Sequence, residues 1–249
     1  MAEQPTPPAP DHLVTRDGLG RFAFWQPRRG YRFSIDSVLL AAFATPAAGA
    51  VADLGAGCGV LSVLLAARGL AGPFTAVEID PLAASCCRAN LEAAGVAGRV
   101  LEADISAPLE DLKAGGFSLV VSNPPFTRAG HGRVSPRPER ARARQELALS
   151  APRLWEQAAR LLPRGGRLAL CWPPARLVEA MQGLPRVGLT PKRLRLVHGR
   201  TGKPASLALL EAVRGGGSQL TVEPPLVVYA EGQEYSPEVK SIYAALDRP

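Results

Sequence analysis

Two short stretches hold residues able to do chemistry. In Asp53-Leu54-Gly55-Ala56-Gly57-Cys58-Gly59, three glycines stand at alternate positions directly after an apolar run. Glycine lacks a Cβ and takes positive φ without strain, so such a loop turns tightly and lets its backbone approach a nucleotide-like ligand. A dinucleotide fingerprint, G-x-G-x-x-G, would need glycine at position 60, where Val60 stands, and a dehydrogenase is therefore disfavoured. Glu78, near the end of the next apolar segment, can accept hydrogen bonds from both hydroxyls of a ribose. The second stretch is Asn123-Pro124-Pro125-Phe126. The asparagine amide both accepts and donates, and the prolines stiffen the loop while removing N–H donors, so that carbonyl oxygens remain as acceptors. This set suits an exocyclic amine on a planar ring. Acceptors on Asn123 and Pro124 would hold the two amine hydrogens and favour a pyramidal nitrogen with an available lone pair, while Phe126 stacks on the ring.

The elements that must position these loops follow from pattern. Val51–Leu54 reads as a strand and residues 60–67 as a helix, with a second strand over 73–80 and a helix from Pro81 to about Ala94 capped by Asp80. Arg99–Glu102 forms a short strand ending at Ala103-Asp104-Ile105, and the buried strand Phe117–Ser122 delivers Asn123. A helix ending near Leu162, a strand over 167–171 and a short helix from about Ala175 to Met181 follow. Strands at 192–197 and 207–213 close the body, and the tail ends in a short helix near 237–246. Before the glycine loop, residues 13–16 and 21–25 flank Asp17-Gly18-Leu19-Gly20 as a hairpin, either capping the sheet or touching substrate, and Ser34 or Asp36 caps the helix that follows. The expected fold is an open α/β sheet of Rossmann-like type, mostly parallel with an antiparallel closing strand, helices on both faces and an N-terminal hairpin. Strands one and four then flank the switch point, and their exits border one crevice. Residues 1–10, with four prolines, form a disordered lead-in, and 11–249 a single domain: 11–45 hairpin and covering helix, 46–214 core, 215–249 tail.

Composition bounds the class. The 249 residues are 47% hydrophobic, enough for a substantial core, and the formal charge of +7 points to a polyanionic partner. No apolar run approaches a membrane span and the first residues show no signal core, so a cytoplasmic protein without membrane contact is expected. The four cysteines make no C-x-x-C pair and the three histidines are scattered, which argues for reduced, buried thiols and no metal site.

The glycine string resembles motif I of the Rossmann-like S-adenosylmethionine-dependent methyltransferases. The resemblance implies a cofactor site in which Asp53, Gly55, Gly57 and Gly59 face the methionine part, Glu78 holds the ribose, Asp104 accepts from the adenine amine, Ile79 and Ile105 sandwich the ring, and Asn123 also touches the cofactor. For Asp104 a helix cap is the alternative. Asn123-Pro124-Pro125-Phe126 resembles motif IV of the amino-methyltransferases, which act on adenine, cytosine or guanine amines or on glutamine side chains. The segment Q-P-R-R-G-Y-R-F-S-I-D-S-V-L-L-A, together with A-V-E-I-D-P-L-A, V-V-S-N-P-P-F and G-R-V-S-P-R-P-E-R-A-R-A-R-Q-E, is similar to the bacterial tRNA(Val) adenine-N6 methyltransferase family, which modifies the adenine just 3′ of the anticodon, position 37. By that resemblance Tyr31, Phe33 and Asp36 close over the methionine end, and Asn123, Pro124 and Phe126 carry the reaction. Phe126 departs from the tyrosine of many relatives, and Gln145 from their histidine.

Residues 128–144 hold six arginines and one acid, and Arg128, Arg133, Arg137 and Arg140 are the expected RNA contacts, a solvated helix face being the bland alternative. The expected partner is tRNA, bound by a monomer or homodimer. Alternatives are methylation of an rRNA base or a protein glutamine, or an RNA-binding module on this fold that has lost turnover.

Overall fold

The computed structural model describes residues 7–30, 32–124 and 151–247. Strands β1 (Val14–Leu19) and β2 (Phe22–Pro27) pair antiparallel as a separate two-stranded sheet. The strands run on to Leu19 and Phe22, so the reversal is Gly20-Arg21 rather than the whole of residues 17–20. Asp17 is a strand residue, engaged across the hairpin by Gln26 (2.8 Å) and by Arg32 (2.9 Å). Helix α1 (Ile35–Phe43) follows, capped by Ser34, whose hydroxyl accepts from the Asp36 amide.

The main body alternates strand and helix: β3 (Val51–Leu54), α2 (Val60–Ala67), β4 (Phe74–Glu78), α3 (Pro81–Ala93), β5 (Gly98–Glu102) and β6 (Leu119–Ser122). A helix through 151–161, α4, leads to β7 (Arg167–Trp172), a 3-10 turn at Pro174–Arg176 and α5 (Leu177–Arg186). Then come β8 (Leu189–His198), β9 (Ala205–Arg214), the two-residue strands β10 (Thr221–Val222) and β11 (Leu226–Val227), and α6 (Pro237–Ala244). The sheet order is β10-β8-β9-β7-β6-β3-β4-β5, with β11 also beside β8. β7, β6, β3, β4 and β5 are parallel, and β9 joins β7 and β8 antiparallel. This is the expected α/β architecture.

Period-two alternation divides the core between the two faces. Val51, Leu119, Val121, Ala169 and Cys171 face the hairpin, α1, α2, α3 and α6, whereas Ala52, Leu54, Val120, Leu168, Leu170 and Trp172 face α4 and α5. α5 runs to Arg186, past the expected stop at Met181, because Gly183 lies flat against Trp155: a Cβ there would stand 1.9 Å from the indole ring. Tertiary packing thus outweighs the low helix propensity of Gly183 and Pro185. The hairpin packs on α3 through buried Asn90, which accepts from the Trp25 amide and donates to the carbonyls of Trp25 and Cys58. None of the four cysteines forms a disulfide among the described residues, and all four are buried. Among the described residues no helix is long and apolar enough to cross a membrane.

α1 is braced by a buried ion cluster. Glu211, fully buried on β9, accepts from Arg167 (2.8 Å), Arg193 (3.3 Å) and the Thr45 amide (3.1 Å). Arg193 also reaches the Phe43 carbonyl (3.2 Å) and the Thr45 hydroxyl (2.7 Å), and so satisfies the open end of α1. Neutralising Glu211 with Gln leaves two guanidinium groups without their buried partner. The expected loss is about 2–3 kcal/mol, below the full penalty of a broken buried pair because both arginines are partly exposed; chemical denaturation measures it.

Candidate active site

β3 lies between β6 and β4 at the centre of the parallel sheet, and its exit meets theirs on one edge. The Ser122 hydroxyl donates to the Leu54 carbonyl (2.7 Å), tying the last residues of β6 and β3 together where the two loops begin. A cleft results, lined by Phe33, Ser37, Asp53, Gly55, Ala56, Gly57, Cys58, Val60, Leu61 and Asn123. The two stretches that carried chemistry in the sequence therefore share one cavity.

The three glycines divide their work. Gly55, Gly57 and Gly59 all have positive φ, at 73°, 56° and 79°. A Cβ on Gly55 or Gly57 would meet nothing within 4 Å, so the backbone is open on that side. A Cβ on Gly59 would stand 2.6 Å from the Cys87 sulfur, and this glycine serves the approach of α2 to α3. The Gly55 and Ala56 amides donate to the Val77 carbonyl (2.9 and 3.0 Å), and the Gly57 amide donates to Glu78 Oε2 (2.7 Å). Glu78 Oε1 accepts from the Asp80 amide (2.9 Å). Two backbone donors thus hold the carboxylate in place, and each of its oxygens keeps a second lone pair for a ligand.

Asp53 is the electrostatic anomaly. It is buried, its Oδ2 accepts from the Ser62 hydroxyl (2.8 Å), and its Oδ1 has no hydrogen-bond partner among the described residues. Burial pushes its carboxyl pKa from 3.8 up to about 7; the nearby Glu78 charge adds to the rise and the Ser62 hydrogen bond opposes it. Cys58, next to the loop, is likewise pushed up to about 12 by burial, so it is not a nucleophile at neutral pH.

On the other wall, buried Asn123 donates from Nδ2 to the Ser37 hydroxyl (2.9 Å). Ser37 belongs to α1, so the amide plane is set by a helix distant in sequence. Pro124 follows, also buried. Of the segment expected to cover the cofactor, Phe33 reaches the cleft, its ring edge-on to Phe24 with centroids 5.5 Å apart and its amide donating to Gln26 Oε1 (3.2 Å). Asp36 is half-buried one residue before Ser37, its carbonyl accepts from the Cys171 thiol (3.7 Å), and it is not part of the cleft lining. Farther along the edge, Ile79 is 62% exposed, an unusual state for isoleucine. Glu78 pairs with Glu102 at the β4 and β5 exits, which sets Ile79 beside Ala103-Asp104-Ile105. Asp104 is exposed and its Oδ1 accepts from the Ser106 amide (2.8 Å) within a turn; no helix starts there, so it is not the helix cap weighed for it in sequence. Ile105 is half-buried. Tyr31, Phe126, Arg128, Arg133, Arg137 and Arg140 lie outside the described residues.

Pattern reading missed Ser37, Ser62, Cys87 and Asn90. Asn90 left a signal, a polar side chain on the apolar face of a helix; the serines left none, since a hydroxyl in an apolar run does not announce its partner.

A family model described as Methyltransferase small domain matches residues 35–180. A tRNA1(Val) (adenine(37)-N6)-methyltransferase of Shewanella amazonensis is 36% identical over 192 residues, 76% of this chain and 81% of the relative. The chain belongs to this methyltransferase family. Another member, from Porphyromonas gingivalis, is 33% identical over 230 residues, 88% of each chain. Among solved structures, one titled a predicted O-methyltransferase from Agrobacterium tumefaciens superposes with a TM-score of 0.66 at 24% identity, over 85% of this chain and 96% of that one. A Thermus thermophilus 16S rRNA N2 G1207 methyltransferase, in complex with AdoMet and guanosine, gives 0.51 at 22% identity over 86% of this chain and 47% of that one. Both likenesses concern the fold. The methyltransferase is S-adenosylmethionine-dependent by family, and the cleft suits that cofactor. The space beside Gly55 and Gly57, the partnerless oxygen of Asp53 and the exposed face of Ile79 offer room, an acceptor and an apolar contact along one edge.

Two outcomes test this geometry. Between pH 3.8 and about 7 folded Asp53 keeps a proton that the unfolded chain has lost, so its contribution to stability falls as pH rises through that window and levels off above it. Asp53→Asn removes the slope: in thermal melts its Tm relative to the parent protein should climb from about pH 4 to about pH 7 and then stay constant. Ser37→Ala removes the hydrogen bond that Asn123 Nδ2 donates to the Ser37 hydroxyl, and should lower kcat up to about tenfold with cofactor affinity unchanged; steady-state kinetics beside calorimetry separates the two.

Proposed function

We propose that this methyltransferase methylates the exocyclic N6 of an adenine in tRNA, adenine 37 beside the anticodon of tRNA(Val), with S-adenosylmethionine as donor. The observation that carries the reading is the placement of Asn123, buried and oriented by Ser37, in the same cleft as the open faces of Gly55 and Gly57. The names of the relatives, which span most of the chain at about one-third identity, support the choice of base and RNA.

Gly55, Gly57 and Asp53 would hold the methionine end of the cofactor with Phe33 over it, and Glu78 the ribose. Ile79, Ile105 and Asp104 would take the adenine; Tyr31 and Asp36 are proposed for the covering segment by family resemblance. When bound, S-adenosylmethionine supplies an electrophilic methyl group on its sulfonium. The protein must then present a nitrogen whose lone pair is withdrawn from its ring. Asn123 Oδ1 and the Pro124 carbonyl accept from the two amine hydrogens, an arrangement that favours a pyramidal nitrogen with its lone pair turned into the cleft. Phe126 is assigned to stacking on the extruded base, worth on the order of 1–3 kcal/mol. The excess proton of the methylated nitrogen passes to solvent, so catalysis is positional and electrostatic rather than dependent on a strong base. Arg128, Arg133, Arg137 and Arg140 are proposed to contact RNA phosphates, in keeping with the formal charge of +7.

Nucleoside mass spectrometry of unmodified tRNA incubated with protein and S-adenosylmethionine should reveal N6-methyladenosine. Asn123→Ala should cut its formation by at least about a hundredfold while cofactor binding persists. Methyl incorporation into rRNA or a protein glutamine instead would replace the substrate, and full activity of Asn123→Ala would remove the mechanism.

A further inference from the structure

A second cationic feature stands on the same edge of the sheet as the active site. β9 runs antiparallel to β7, with Ala208 opposite Trp172, and β8 antiparallel to β9, with His198 opposite Ala205. Two reversals restore the direction of β7, so β8 exits on the edge that carries Asn123. β11 runs parallel to β8, with Val227 opposite His198, and exits there too. From β6 to β8 is three strand spacings, about 14 Å.

Four side chains form a column at this exit. The Arg200 guanidinium lies over the Tyr229 ring, 5.5 Å from its centroid. Tyr229 stacks on Tyr235 (5.5 Å, 22° between planes) and Tyr235 on Tyr243 (5.2 Å, 16°). The backbone clamps the two segments together, the Tyr229 amide donating to the Gly199 carbonyl (3.0 Å) and the Ser236 amide to that of Val228 (2.8 Å). The turn after β8 is closed by the Lys203 amide on the Arg200 carbonyl (3.2 Å) and by His198 Nδ1 against the Lys203 carbonyl (2.6 Å), so that Lys203, exposed, shares one turn with Arg200.

Neighbouring cations are neutralised locally: Arg195 pairs with Glu238, and Lys240 with Glu234. Glu231 remains an exposed acid on that side. Neither Arg200 nor Lys203 forms an ion pair among the described residues. Tyr229 has Arg200 and Tyr235 against it, and Tyr235 has Tyr229 and Tyr243, so these rings are engaged within the column rather than offered to bases. What they do is hold a planar, weakly hydrated cation in a set orientation, and such a guanidinium suits bidentate pairing with phosphate or stacking on an unpaired base.

We propose that Arg200, steadied by the tyrosine column, and Lys203 form a second RNA contact that grips the strand flanking the target base on the β8 side of the cleft. This rests on the RNA-substrate reading and extends it to a surface far in sequence from the arginine-rich segment 128–144. The full-length protein, Arg200→Ala/Lys203→Ala, Arg200→Lys and Tyr229→Leu should be titrated with unmodified total tRNA over a range of salt concentrations. The double variant should bind roughly tenfold more weakly, and the slope of log K against log salt should fall by about 1.4, the share of two phosphate contacts to a single strand. Arg200→Lys should recover only part of the loss because an ammonium does not stack as a plane, and Tyr229→Leu should weaken RNA binding with S-adenosylmethionine affinity intact. In turnover the double variant should raise KM for RNA and spare kcat. Wild-type binding together with an unaltered double variant would overturn this contact alone. A parallel loss of cofactor affinity in the arginine and tyrosine variants would also overturn it, by marking the column as structural. A wild-type protein that binds no tRNA would sink the substrate reading along with it.

Discussion

The active-site geometry hangs on the central pairing of β3 with β6. Val51, Ala52 and Asp53 run in register with Leu119, Val120 and Val121, and the Ser122 hydroxyl clasps the Leu54 carbonyl at the last step. Because parallel strands release their loops on the same edge, this one register sets the glycine loop and the asparagine loop against each other. A slip by one residue would turn Asp53 from the face of α2 toward that of α4, and no loop adjustment could then restore the cleft.

Around this pairing the protein spends polar groups in places where apolar ones would pack more simply. Ser62 meets Asp53, Ser37 meets Asn123, and Asn90 joins the hairpin to the glycine loop. Each is buried, so each must be satisfied, and an interaction that must be satisfied also specifies a geometry. The Glu211 cluster works at longer range. By holding the carboxyl end of α1 through Arg193 and Thr45 it fixes the helix that presents Ser37 to the Asn123 amide. Asp53 differs from these in keeping an oxygen without a partner among the described residues, on the wall of the cleft.

Much of the fold was legible because its signals are local. The apolar runs at 51–54 and 119–122, the Asp80-Pro81 helix start, the antiparallel pair at the end and the glycine string each depend on a few adjacent residues. Where the reading fell short, the deciding contact was distant. The length of α5 depends on Gly183 meeting Trp155, and the hairpin turn on Asp17 pairing across to Gln26 and Arg32. The split among the glycines belongs to the same class. Spacing marks all three as equivalent, and only the position of Cys87 assigns Gly59 to helix packing and leaves Gly55 and Gly57 to the cleft.

The sequence by itself determined the order of elements, the position of the two loops at strand exits and the family, since residue type and short spacing encode all three. Tertiary structure alone decided which polar partners meet: that Ser37 holds Asn123, that Glu78 is held by the Gly57 and Asp80 amides, and that Arg200 stands on Tyr229 on the sheet edge that also carries the cleft. The reason is physical. A side chain's capacity to donate, accept or stack is written in its identity, but the partner that satisfies it is chosen by the packing of elements that the chain brings together only when it folds.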